Sequence, residues 1–141
     1  MRRFLKVVAI VLVLAACSRT PPEQSLRRTI AQMQTAIEAR DASTLADGIA
    51  RDFIGPDGMD RKAAQRLAAV VFLQNRQVGV TLGPLDIELQ PGGATVHCTA
   101  AMTGGDSALL PTSGQVYDIT TQWRQDGEDW ELVSAEWEPR L

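Results

Sequence analysis

Between Ser25 and Asn75 the apolar residues of this 141-residue chain recur every three or four positions, and beyond Gln77 they recur every two. The first period is that of helices buried along one face, the second that of strands with one face covered. Leu26, Ile30, Met33 and Ile37 line one side of a first helix, opposite Arg27, Arg28, Gln34 and Glu38. Asp41, or Ser43 two residues on, is placed to cap a second helix that carries Leu45, Ile49 and Phe53 and ends at Gly55-Pro56. Asp60 is placed to cap a third helix through about Asn75. Ala63, Ala64, Leu67, Ala68, Val70 and Val71 make that helix so apolar that it is expected to be heavily buried.

In the second half Leu85, Ile87 and Leu89 alternate with Asp86, Glu88 and Gln90, and Pro91-Gly92-Gly93 turns the chain into a partner strand, Ala94 to Met102. Val78 to Leu82 is a short strand ahead of them, and Thr103 to Gly114, with Leu109-Leu110-Pro111, is read as a long loop. Gln115 to Arg124 and Asp129 to Glu138 form a hairpin about Asp126-Gly127, a strong turn signal. Three helices followed by antiparallel strands predict an α+β domain, its helices packed on one face of a curved antiparallel sheet.

The start of the chain follows a different pattern. Arg2, Arg3 and Lys6 precede the ten-residue apolar run Val7 to Ala16, which ends in Leu14-Ala15-Ala16-Cys17. The run is short of the roughly 20 residues that cross a bilayer, and it fits the core of a secretory signal. With its small residues before a cysteine, the segment resembles the lipobox of bacterial lipoprotein precursors. That resemblance implies removal of residues 1–16, acylation of Cys17 with three chains, and a tether over 17–24 stiffened by Pro21 and Pro22 ahead of a domain spanning 25–141. Anchoring by several chains is stable where a single chain is marginal. Ser18, where inner-membrane lipoproteins resembling this one carry Asp, implies the periplasmic side of the outer membrane.

Cleavage at that point leaves 125 residues, one domain of ordinary size, with 11 basic against 17 acidic residues and a net charge of −6. From Gln77 onward only Arg124 and Arg140 face ten acidic residues. No basic stripe is available for phosphate contacts, so nucleic acid is not an expected partner. With Cys17 acylated, Cys98 is left alone and no internal disulfide forms. Cys98 falls on the same strand face as Val96, Ala100 and Met102, as a small buried hydrophobe, while His97 points to the opposite face beside Thr95 and Thr99.

The inventory for acid–base chemistry is short: one histidine, His97, and one tyrosine, Tyr117, with Asp118 and Glu136 as the carboxylates best placed to join them. Glu136 beside Glu138 reads more readily as a solvated carboxylate than as a buried base. Trp130 and Trp137 read as packing residues, and Trp123 is left open. The sequence has no HExxH, glycine-rich phosphate loop, Gly-x-Ser-x-Gly elbow or Cys/His metal cluster, so neither metal nor cofactor is expected.

Ile37-Glu38-Ala39-Arg40-Asp41, followed by Leu45, Asp52-Phe53, a third helix and terminal strands with Trp130-Glu131-Leu132-Val133, resembles the nuclear transport factor 2-like superfamily, including its SnoaL-like members. The resemblance runs from Ser25 to Glu138 and implies a cone-shaped, cystatin-like fold around a cavity. Proteins of that fold include isomerases, dehydratases and hydrolases as well as binding and assembly modules. Members that act on or hold a ligand often carry polar groups, frequently histidine, on the last strand, where this chain has Ser134 and Glu136. Three expectations follow: a non-enzymatic lipoprotein that binds a small apolar ligand or a partner protein, a cone-pocket enzyme, or a homodimer formed through the exposed sheet face.

Overall fold

The computed structural model describes residues 20–106 and 113–140; residues 1–16, read above as a signal, Cys17 and Leu109-Leu110-Pro111 lie outside the described residues. Helix α1 spans Pro22–Glu38, α2 Ala42–Asp47 and α3 Arg61–Gln74; the strands are β1 Ile49–Ile54, β2 Gln77–Leu82, β3 Asp86–Gln90, β4 Gly93–Gly105, β5 Ser113–Asp126 and β6 Asp129–Pro139. The strand order is β1-β6-β5-β4-β2, with β3 also paired to β4. This is an α+β fold with helices on the concave side of a curved, unclosed sheet.

The capping signals act where the sequence puts them. Asp41 accepts from the Thr44 amide at 3.0 Å and Asp60 from the Ala63 amide at 2.8 Å, so each satisfies a helix-start N–H that has no intrahelical partner. Helix α1 begins three residues before Ser25, inside the stretch read as tether, with Pro22 in its first turn, where a missing N–H costs nothing. Gly127 turns the β5–β6 hairpin at φ +63°, as Asp-Gly predicts. Strands β4 and β5 run further than expected and pair as far as Gly104↔Ser113, which shortens the predicted loop from both sides.

Two expectations are corrected. The second helix does not reach Phe53: it ends at Asp47, and Ile49–Ile54 is a strand parallel to β6, which makes the sheet mixed rather than wholly antiparallel. Gly48 is the cause. A Cβ there would lie 3.2 Å from the Met33 sulfur, and the Gly48 carbonyl is taken by the Leu132 amide at 3.0 Å instead of a helical partner. The four-residue spacing of Leu45, Ile49 and Phe53 matches a helix, but the last two belong to a strand. The third helix has its predicted bounds but is not heavily buried: Phe72 is enclosed, whereas Leu67, Val70 and Leu73 are 43%, 49% and 88% exposed.

The core lies between α1 and the sheet. Leu26, Ile49, Phe53, Ala94, Val96, Trp123, Trp130, Leu132 and Ala135 pack together, with Ile30, Met33, Ile87 and Trp137 at their edge. Trp123 is therefore a core residue. The Trp130 indole donates to the Ser25 hydroxyl at 2.8 Å, and that hydroxyl donates to the Pro22 carbonyl at 2.9 Å. Ser25→Ala is expected to strand the buried indole N–H, a loss of about 1–3 kcal/mol, offset by roughly 0.5 kcal/mol of better helix propensity. Urea unfolding checks this. On a Trp130→Phe background, which has no N–H to strand, the same change should cost nothing.

Candidate functional site

Alternation along β4, β5 and β6 assigns every candidate residue to a face. His97 pairs with Thr120, and Thr120 with Glu136; Thr99 pairs with Asp118, and Asp118 with Glu138. Cross-strand partners share a face, so His97, Asp118 and Glu136 all project from the convex side, away from the helices, and all three are exposed. Tyr117 pairs with Ala100 and lies on the concave side, half-buried, in line with Cys98 and Ile119. The structure thus brings His97, Asp118 and Glu136 to one surface and separates Tyr117 from them by the thickness of the sheet. Ser134, paired with Gln122, is also on the convex face.

The convex face is polar and mostly self-satisfied. Gln90 donates to the Thr95 hydroxyl at 3.1 Å, that hydroxyl donates to the Gln122 side-chain oxygen at 2.8 Å, and a His97 ring nitrogen is 3.0 Å from the Thr120 hydroxyl. Asp86 and Glu88 join this face through their pairing with His97 and Thr95. Asp86, Glu88, Asp118, Glu136 and Glu138 are set against His97 and Arg140, whose guanidinium is 3.5 Å from Asp118. Among the described residues the strands place no aromatic side chain on this surface. An isologous pairing through it would set carboxylates against carboxylates with no aromatic anchor between them.

The concave face is the opposite in character. Its strand positions carry Val78, Val80 and Leu82 from β2, Cys98, Ala100 and Met102 from β4, Gln115, Tyr117, Ile119 and Thr121 from β5, and Ala135 and Trp137 from β6. Among the described residues, β2, β3, β4, β5 and β6 place no charged side chain there. Near the hairpin the space is filled by Leu26, Phe53, Trp123 and Trp130. Further along the strands Cys98, Met102, Tyr117, Ile119 and Trp137 are each only half-buried. Burial pushes the Cys98 thiol above its ordinary pKa, which keeps it protonated and unreactive near neutral pH.

Two open clefts lie at the hairpin end. One of about 670 Å³ is lined by Thr20, Pro21, Pro22, Ser25, Gln125, Gly127 and Glu128. A second, of about 390 Å³, lies beside Thr29, Met33, Asp47, Asp126, Asp129 and Glu131. Its carboxylates do not converge, and among the described residues no group of three or more His, Cys, Asp or Glu side chains is arranged to hold a metal ion.

One polar cluster was not legible in the sequence. Arg124 forks onto Asp52 at 2.9 and 3.1 Å and reaches Glu131 at 3.1 Å, tying β1 to the β5–β6 hairpin. Asp52 lies 72 positions from Arg124, and no local signal links them. The hydrogen bond from Arg124 holds the Asp52 carboxyl below its usual range, and the Thr44 hydroxyl and amide do the same for Asp41.

The fold is that of nuclear transport factor 2-like proteins. The chain superimposes on a Streptomyces avermitilis protein of that family, named as a candidate dehydratase, with TM-score 0.72 and 18% identity over 85% of this chain and 97% of the other. It superimposes on a Novosphingobium aromaticivorans protein with a cystatin-like fold at TM-score 0.68 and 18% identity, covering 96% of this chain and 90% of that one. Bd1075 of Bdellovibrio bacteriovorus matches at TM-score 0.73 and 16% identity, and this chain spans 41% of its length. No protein-family model and no curated protein sequence matches the chain.

The two depressed carboxyls set a pH dependence. A lowered folded pKa gives stability that is present above the unfolded value and lost as pH falls through the folded one. Unfolding midpoints should be level from neutral pH to about 5 and decline below about 4, the range in which an unfolded aspartate titrates. Asp52→Asn should make the decline shallower, and urea titrations across this range check it.

Proposed function

We propose that this chain is a lipid-anchored protein of the bacterial envelope, held through Cys17 at the periplasmic face of the outer membrane, whose domain binds an apolar ligand or partner without catalysing a reaction. The single observation that supports binding over catalysis is the segregation of chemistry by face. An acid–base enzyme of this fold needs at least two titratable groups directed at one substrate atom. Here the concave side offers the Tyr117 hydroxyl and a protonated Cys98 amid aliphatic and aromatic side chains, while His97, Asp118 and Glu136 face solvent on the other side. The half-buried group of Cys98, Met102, Tyr117, Ile119 and Trp137 suits an apolar molecule or an apolar side chain of a partner.

The anchoring half of the reading rests on the order Leu14-Ala15-Ala16-Cys17 after a basic start. Cys17→Ser removes the only sulfur at the cleavage point. The variant should leave the membrane fraction and the detergent phase while its domain keeps the stability of the parent, as partitioning and urea unfolding would show. Retention in the membrane after confirmed signal removal would overturn the anchor.

The binding half is checked by native mass spectrometry of protein extracted from envelopes in mild detergent. An apolar molecule or partner should leave with the protein and be lost in Ile119→Asp, which places a charge on the concave face. Turnover of a substrate that depends on Tyr117 would overturn the non-catalytic reading.

A further inference from the structure

Helix α3 carries aliphatic side chains on its outer side as well as its inner one. Its inner side packs Phe72 and Ala64 against the body, and Leu67, Val70 and Leu73, three positions apart, form a stripe on the opposite side at 43%, 49% and 88% exposure. The stripe is not the product of a loose element. Arg61 donates twice to the Ala46 carbonyl at 3.1 and 2.8 Å, and Arg40 donates to the Phe72 and Asn75 carbonyls at 3.0 and 3.2 Å, so both ends of α3 are clamped. A fixed helix that shows three aliphatic side chains to water is built to have them covered.

The charges around the stripe indicate the cover. Helix α3 carries Arg61, Lys62 and Arg66 and no acidic residue, and Arg76 follows two residues after its end. In an acidic domain this is a local excess of positive charge on the helical side, while Asp86, Glu88, Asp118, Glu136 and Glu138 gather on the convex side of the sheet. A second copy docked stripe to stripe would bring two cationic helices together with no acidic residue on either to pair them. An aliphatic stripe flanked by cations instead matches a surface that is anionic outside and apolar beneath, which is that of a phospholipid bilayer.

We infer that α3 is a membrane-docking face: Leu67, Val70 and Leu73 enter the interface of an anionic bilayer, with Lys62, Arg66 and Arg76 on its headgroups. This rests on the lipoprotein reading above. From Cys17 to Pro22 is five residues, a reach of at most ~17 Å, so the anchor holds the domain against the bilayer and raises the effective concentration of a contact that is weak alone. The Arg40 clamp puts the end of α3 beside the end of α1, one helix length or ~25 Å from Pro22. Docking through the stripe therefore lays α1 along the membrane instead of standing it upright.

The test uses the full mature lipidated protein in vesicles, with a nitroxide on Val70→Cys in a Cys98→Ala background and a control label on Glu136→Cys. In vesicles containing phosphatidylglycerol, position 70 should gain accessibility to membrane-dissolved oxygen and lose it to an aqueous nickel complex, several-fold in ratio, while position 136 stays aqueous. Phosphatidylcholine vesicles, high salt or Lys62→Glu with Arg66→Glu should return position 70 to water. An aqueous position 70 in protein that remains on phosphatidylglycerol vesicles would overturn docking and leave the anchor standing; failure to stay on the vesicles at all would remove the anchor. Dipolar broadening between labels would assign the stripe to a second copy. Protection from both reagents with and without vesicles would assign it to the segment Leu109-Leu110-Pro111. Either result overturns the inference.

Discussion

The hydrogen bond from the Trp130 indole to the Ser25 hydroxyl is the constraint from which the architecture extends. It joins residues 105 positions apart in a buried setting, where an indole N–H without a partner would be costly. By fixing the first turn of α1 over β6 it places Leu26 in full burial among Phe53, Trp123 and Trp130. From that point α1 crosses the concave face to β2, where the Gln34 amide donates to the Val80 carbonyl at 2.7 Å. One end of the cone is thereby closed by large side chains. The other end is left with the half-buried Cys98, Met102, Tyr117, Ile119 and Trp137, which is why the candidate site is placed there.

Local signals were legible wherever a few adjacent residues determine the outcome. The switch of period at Gln77, the caps at Asp41 and Asp60 and the Asp126-Gly127 turn each rest on groups within four positions of one another. The opposite orientations of His97 and Cys98 followed from period 2 alone, and the register bears this out. Strand β1 was not legible because its partner, β6, comes some 80 residues later, and parallel pairing leaves no hairpin signal at the join. The exposure of α3 was not legible for a related reason. Apolar residues on both the inner and the outer side of a helix predict a cover on each side, but the sequence of one chain does not say whether that cover is the chain itself.

For the site, composition revealed how few titratable groups there are, and only topology shows how they are divided. Nothing in Tyr117-Asp118 marks one neighbour for the concave side and the other for solvent except the strand between them. The Arg124–Asp52–Glu131 cluster escaped for the reason β1 did, since it exists only once β1 lies beside the hairpin.

The division of charge across the sheet also bears on what the fold is used for here. A carboxylate on the concave face would be desolvated between the helices and the strands, at several kcal/mol unless paired, and an enzyme accepts that cost because the shifted pKa is what it works with. In this chain the cost is avoided: Asp86, Glu88, Asp118, Glu136 and Glu138 point to water, and the concave rows of β2, β4, β5 and β6 are left to hydrocarbon, a thiol and uncharged polar groups. The same avoidance polarises the domain, acidic behind the sheet and basic along α3. An anionic bilayer attracts cationic surfaces and repels anionic ones, so on the membrane-docking reading proposed above the same division of charge would orient the domain with α3 toward the lipid.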